Sequence, residues 1–451
     1  MSKNTKKSAR KPAPKIRYQS SGKGLTSQAG VIPAVHFLNQ LGFNDVCDKH
    51  IHFQRGDNAT YSLTDSVFMT LLGMIAGANS LLKVVAVWSD QVLRDVSGWL
   101  SVPDDSTLGR IFRQGKQKHV AQLEEVNHRL RHRVWERCLK SGAMQPGDFY
   151  RSWVDVDSTV KTVFGRQEGA AKGYNAAKKG ALSYHPLVAF SSHTKEILQA
   201  WLRTGSAYTS NGIVEFMKQL AVQMPPRMRM LFRGDSGFFS GELMDWLEQG
   251  GHGYLIKVKL KGLSALLDKQ TWQAVSNCPG WEQCEFTHAC GKWSRSRRFI
   301  AVRRLAKVKK EGPQQSLIIE PVYDYFCYVT TERLTPWQAH KTYGQRATCE
   351  TWLDEAKNQM GLAHLKSHDF VASSLMFQSA VLAYNTIRWM ALISNHRTLR
   401  RWEIQTIRAF LVRTAGQLLT GSNQLKVKIP DKHLYPSEWD AWLKLSFISE
   451  A

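Results

Sequence analysis

The amino-acid sequence predicts an α/β protein. Its core is a mixed five-stranded sheet with flanking helices, interrupted by a β-rich insertion. A helical N-terminal domain precedes it and a helical C-terminal tail follows. Three observations carry this. Hydrophobic periodicity changes from helical to alternating at Phe149. From there the order reads as three strands, helix, strand, helix, strand and, later, a helix. Between the last strand and that helix, about 80 residues break the pattern.

The bulk numbers bound the function. A chain of 451 residues can fill two to four domains, and 43% hydrophobic content is ordinary for globular proteins. The charge is not ordinary: 61 Lys+Arg stand against 37 Asp+Glu, a formal net charge of +24. That favours a polyanion partner, nucleic acid first and an anionic membrane second. No apolar run approaches the roughly 20 residues that span a bilayer. The longest, Val67–Ala78, is broken by Thr70, Gly73 and Gly77. The N-terminus lacks the apolar stretch of a signal peptide. A cytoplasmic, nucleoid-associated protein without a membrane partner is expected. Seven Cys in such a chain do not make a disulfide framework. Cys278, Cys284, His288 and Cys290 cluster, but without a C-x2-C pair and across a predicted hairpin, so they read as ordinary residues rather than zinc ligands.

Residues 1–30 hold eight Lys/Arg and no acid among Pro, Ser and Gly, the composition of a disordered basic arm. Such an arm suits phosphate neutralisation, and also a solubilising tail. Residues 31–148 read as a helical DNA-binding domain. Asp65 is a candidate cap for a helix through Val67–Ile75, and Asp105 or Ser106 for a short helix within 102–114. A long helix should run from about His119 to Cys138. A helix-turn-helix at about 85–114 would let Arg110 read DNA in the major groove, although the same residues suit the exterior of a helical bundle.

Residues 149–260 hold the first part of the core. Strands are predicted at 150–160, 184–192 and 196–205, then a helix at 211–224 with Asn211 as a candidate cap. A strand ending at Gly234-Asp235, a helix over 240–251 and a strand over 254–260 follow. Residues 261–332 form the insertion, with a β-hairpin over 281–305 turning near Gly291. Residues 291–310 hold nine Lys/Arg and no acid, which suits a strand lying along DNA or an edge strand protected by charge. Residues 333–398 complete the core, and 399–451 read as a helical, mixed-charge region.

This strand and helix order is that of an RNase H-like fold. Carboxylates there belong on the first strand, at the end of the fourth, and on a late helix. Asp157, Asp235 and Glu350 occupy those places. Asp155 stands two residues before Asp157, so both share one face of the strand and periodicity does not separate them. The stretch 341–360 reads as one helix on which Tyr343, Arg346, Glu350 and Lys357 fall within roughly 60° of one face. Cys349, Trp352 and Ala356 lie towards the other side. One carboxylate, one phenol and two cations suit a phosphate-and-metal site; alone, they would also suit a solvated helix face.

The spacing Y-x2-R-x3-E-x6-K, complete in Tyr343, Arg346, Glu350 and Lys357, resembles the signature of DDE-type bacterial insertion-sequence transposases of the hairpin-forming class, DDE domain group 1. The resemblance covers roughly residues 150–395 well, and the N-terminal region only in character. It implies that Asp157, which precedes Ser158-Thr159, is the first catalytic, metal-binding carboxylate, with Asp155 supporting it from behind. It implies the same role for Asp235, in Arg233-Gly234-Asp235-Ser236-Gly237-Phe238, and for Glu350. Two Mg²⁺ or Mn²⁺ ions would be held there, about 3.5–4 Å apart in such sites. Tyr343, Arg346 and Lys357 would grip the DNA end, with Arg233 as a further contact. Trp293 is the candidate for stacking on a flipped base. The implied partners are double-stranded DNA, as terminal inverted repeats and target, and a second protomer in the synaptic complex. The carboxylates alone would also serve a nuclease or resolvase of this fold without strand transfer. A domesticated DNA-binding protein is the other alternative. The Tyr/Arg/Lys set argues against the first and the three intact carboxylates against the second.

Overall fold

The computed structural model describes residues 17–445 apart from 21, 174, 176, 177, 292, 307–321, 363, 365, 366 and 422–424. Most of the predicted basic arm lies outside the described residues.

The alternation of RSWVDVDS makes Arg151–Ser158 a strand, β1, with Val154 and Val156 fully buried. The other core strands are β2 (Leu187–Ser191), β3 (Ile197–Trp201), β4 (Arg229–Gly234) and β5 (Gly253–Lys257). They lie in the order β3-β2-β1-β4-β5. β2 is antiparallel to both neighbours, while β1, β4 and β5 run parallel. The five strands expected of an RNase H-like core are therefore present and mixed in direction. Helix Gly241–Gln249 is the crossover between β4 and β5. Helix Ile213–Val222 starts after Gly212, in the left-handed region at φ 73°, so glycine rather than Asn211 sets its start.

The insertion does not stand apart from this sheet. Its strands β6 (Gln273–Ala274), β7 (Trp281–His288), β8 (Arg297–Leu305) and β9 (Tyr323–Thr330) continue it, with β9 antiparallel to β5. Among the described residues the sheet has nine strands, ordered β6-β7-β8-β9-β5-β4-β1-β2-β3. The basic strand β8 is thus interior, not an edge. Its arginines find acids on its neighbours: Arg298 pairs with Glu285, Arg303 with Glu282 and Arg304 with Asp324. Arg297 is buried and pairs with Asp245 and Glu248 of the crossover helix.

Two long helices back the core. α1 (Gln117–Ser141) packs on the 24-residue Phe370–Ile393 helix, which is buried along most of its length. The latter, unlike any run expected from the sequence, is long and apolar enough to span a bilayer; Ser, Thr, Asn and Gln break its run, and 89% of its most apolar window is buried inside the protein. Those polar residues have partners. Asn385 accepts from Ile197 N–H at 2.8 Å and donates to Ile197 O at 2.9 Å. Gln378 donates to Ala200 O at 2.8 Å, and Arg131 of α1 to Leu198 O at 2.7 Å. The free edge of β3 is thereby closed by side chains instead of another strand.

In the N-terminal region Ser62 caps helix Leu63–Ala76, with Asp65 as its reciprocal partner in a capping box. Asp104, rather than Asp105 or Ser106, caps helix Asp105–Arg113: its carboxylate accepts from Thr107 N–H at 2.6 Å. The C-terminal region contains strands as well as helices. Gly416–Thr420 pairs with Leu425–Lys428 and with Leu25–Thr26, tying the two ends of the chain together.

The single helix expected over 341–360 is three pieces. α2 (Pro336–Gly344) ends in a tightened turn, with Arg346 N–H bonding Tyr343 O at 2.9 Å and Cys349 N–H bonding Arg346 O at 2.8 Å. α3 (Ala347–Asp354) follows, then a π-helical turn, Glu355–Gln359. The cause of the π turn is tertiary. Buried Glu355 pairs with buried Arg388 of the Phe370–Ile393 helix and accepts from Ile404 N–H at 3.2 Å. Arg408 donates to the carbonyl of Gln359. These anchors hold the last turn wide, and no local sequence rule encodes them.

Candidate active site

β1 and β4 are parallel, and their paired register ends at Asp155 opposite Arg233. Beyond that point the strands part, and Asp157 and Asp235 sit at their C-terminal ends, where ligands of open α/β sheets bind. Asp235 caps a 3₁₀ turn, Ser236–Phe238, by accepting from Gly237 N–H at 2.9 Å. Gly234 is held between aromatic rings: an added methyl would lie 2.8 Å from Phe232 and 2.9 Å from Phe238. That crowding explains glycine immediately before the carboxylate.

Arg346 joins the strand end to α3. Its guanidinium lies 3.1 Å from Asp157 Oδ1 and 3.8 Å from Glu350 Oε1, and donates to Val156 O at 3.3 Å. Glu350 itself is 70% exposed. Burial pushes the Asp157 carboxyl up to about 6; Arg346 opposes this, while the charges of Asp235 and Glu350 add to it. Asp157 therefore senses both other carboxylates. Tyr343 is pushed up to about 12, first by burial and further by Asp235 and Asp157, against the pull of Arg346, so it stays a neutral phenol and a donor. Its ring packs on Tyr328 of β9 with centroids 4.7 Å apart. Burial lowers the Lys357 ammonium, against the raising effects of Asp354 and Asp157. Asp157, Asp235, Glu350, Tyr343, Arg346 and Lys357 thus converge on one pole of the sheet.

Asp155 and Arg233 lie behind this group. They are 0% and 1% exposed and form a two-pronged pair at 2.5 and 2.8 Å. Arg233 also donates to Thr342 O and stacks on Trp153. Both of its charged arms are spent inside the protein, which leaves it a brace beneath the site and not a DNA contact. Trp293 packs in an aromatic cluster with Phe239 and Phe299, under the Arg297 guanidinium. Arg110 is exposed and bonds Thr107 within its own helix. Sequence reasoning missed the loop 204–212, where Thr209 Oγ1 lies 3.1 Å from Ser158 Oγ. A polar loop of varied composition carries no periodic signal that would have marked it.

Among the described residues, no three His, Cys, Asp or Glu side chains are drawn together tightly enough to enclose an ion. Arg346 instead stands between Asp157 and Glu350, and its buried Nε has no hydrogen-bond partner. The donor chemistry still fits a hard divalent cation: oxygens only, on two strand ends and one helix.

A mixed sheet with three carboxylates gathered at its strand ends, and with Arg346 and Lys357 beside them, is consistent with a DDE-type nuclease fold. The family model for the transposase DDE domain group 1 matches residues 8–446, and the chain belongs to that family of DNA transposases. Among solved structures it is similar to the piggyBac transposase synaptic complex with hairpin DNA. That match has a TM-score of 0.44 and 14% identity, over 87% of this chain and 82% of that one. No curated protein matches.

Proposed function

We propose that this transposase moves an insertion sequence by cut-and-paste, through a hairpin on the element's end. The observation that carries it is the convergence of Asp157, Asp235 and Glu350 with Tyr343, Arg346 and Lys357 at the ends of β1 and β4. Asp157, Asp235 and Glu350 would hold two Mg²⁺ or Mn²⁺ ions. When bound, such ions activate the attacking oxygen and stabilise the leaving one. Arg346 and Lys357 would hold phosphate oxygens beside the carboxylates, Arg346 through the terminal nitrogens that now face Asp157 and Glu350, and Lys357 as a point charge. The Tyr343 phenol donates a hydrogen bond and does not ionise at working pH. Water first opens one strand at the end. The freed 3′-hydroxyl then attacks the opposite strand and gives a hairpin, water reopens it, and the 3′-hydroxyl joins target DNA. Two ends require two protomers, so the working form is a homodimer on DNA.

The test supplies the protein with Mg²⁺ and DNA carrying the inverted repeats that flank its own gene. Hairpin-ended product is expected. Nicked ends alone would replace this route with simple hydrolysis, and intact DNA would remove the proposal. Lys357→Ala should slow hairpin formation by roughly 10- to 100-fold, the range for a lost charge-assisted hydrogen bond. Binding of end DNA should change less. Equal losses in the two assays would make Lys357 a general phosphate contact.

A further inference from the structure

Tyr208 is 74% exposed, a large aromatic left in water. It sits on the loop between β3 and helix Ile213–Val222. Two buried side chains are committed to holding that loop. Arg203, 9% exposed, donates to the carbonyls of Tyr208 at 3.2 Å, Thr209 at 3.3 Å and Asn211 at 2.8 Å. His185, 4% exposed, donates to the carbonyl of Ala207. Arg203 is itself fixed by donating to His185 O at 2.9 Å. Four carbonyls within five residues therefore face inward onto a guanidinium and an imidazole. Among the described residues no carboxylate pairs with Arg203; burying such an arginine is costly, and burial lowers its pKa to about 10. The large side chain on the loop so held, Tyr208, is outside.

The loop also has a place. Thr209 bonds Ser158, the residue after Asp157. A methyl added to Gly237, two residues after Asp235, would lie 2.8 Å from Thr209 Cγ2. Tyr208 is thus one residue from a side chain wedged between the two strand-end carboxylate turns.

From this geometry we infer that Tyr208 is a pre-set stacking platform for an unpaired DNA base beside the scissile phosphate. The inference rests on the DNA-cleaving reading above. A rigid exposed ring loses little entropy on binding, and every base has a face to stack on it. A surface that grips phosphate through Arg346 and Lys357 needs such a platform only where bases leave the duplex.

The test uses the full chain with Mg²⁺ and two DNAs of one sequence, one fully paired and one with a short unpaired tail carrying 2-aminopurine. Wild type and Tyr208→Phe should quench the tail fluorescence. Tyr208→Ala and Tyr208→Leu should lose the quenching and bind the tailed DNA about tenfold more weakly, as expected for one lost base–aromatic stack. All four should bind paired DNA equally. Leu matching wild type, or equal losses on paired and tailed DNA, would overturn the platform. If wild type cleaves DNA with Mg²⁺ while Tyr208→Ala quenches normally, only this inference falls. If wild type neither binds nor cleaves either DNA, the DNA-cleaving reading falls as well.

Discussion

Glu350→Gln is expected to reduce Mg²⁺-dependent cleavage of end DNA by about a thousandfold or more, with folding and DNA binding nearly intact. The size follows from the chemistry: losing one ligand that helps to place charge-stabilising cations removes several kcal/mol of transition-state stabilisation, and about 4 kcal/mol is about 10³ in rate. The selectivity follows from position. Glu350 is 70% exposed on α3, and its ion pair among the described residues is with Arg346, just before that helix, at 3.8 Å. Such an exposed pair contributes little to stability. Asp157→Asn and Asp235→Asn should give losses of the same order, and pairs of these substitutions little more than one alone, because the carboxylates act as a unit. The measurement is single-turnover cleavage beside a thermal melt of each variant. Cleavage surviving in Glu350→Gln, or a melt lowered by many degrees, would remove Glu350 from the active site.

What the sequence disclosed was local. The alternation around Asp157, the glycine-flanked turn at Asp235 and the spacing of Tyr343, Arg346, Glu350 and Lys357 are short-range signals, and those residues do converge. What it concealed depends on partners far along the chain. The π turn that carries Lys357 is held by Arg388 and Arg408, 33 and 49 positions from their partners. Five arginines of 291–310, Arg295, Arg297, Arg298, Arg303 and Arg304, looked free because their acids, Glu282, Glu285, Asp324, Asp245 and Glu248, lie on other elements. Strand β8 looked like part of a separate domain because pairing between β9 and β5 leaves no trace in composition. Arg233, two residues before Asp235, looked like a ligand contact, since nothing local shows that it faces Asp155 across the sheet.

That last pair yields the second large effect. Asp155 and Asp157 are indistinguishable by periodicity, yet their substitution should act on different properties. Asp155→Ala would leave the guanidinium of Arg233, 1% exposed, without its counter-charge, and should cost about 3–5 kcal/mol of stability. Asp157→Ala leaves Arg346 with Glu350 nearby and a bond to Val156 O, so it should cost far less stability while cleavage is lost. Replacing both members of the buried pair, as Asp155→Leu with Arg233→Met, should recover much of the stability, because no charge is then stranded. Function should not recover with it. Arg233 also holds the carbonyl of Thr342, the residue before Tyr343, so the pair couples the strand end to α2. Urea denaturation of the three variants decides the assignment. If Asp155→Ala is no less stable than Asp157→Ala, the buried pair is not the brace inferred here. If the double variant cleaves DNA as wild type does, the brace does not position Tyr343, and α2 is held in place by its contact with β9 instead.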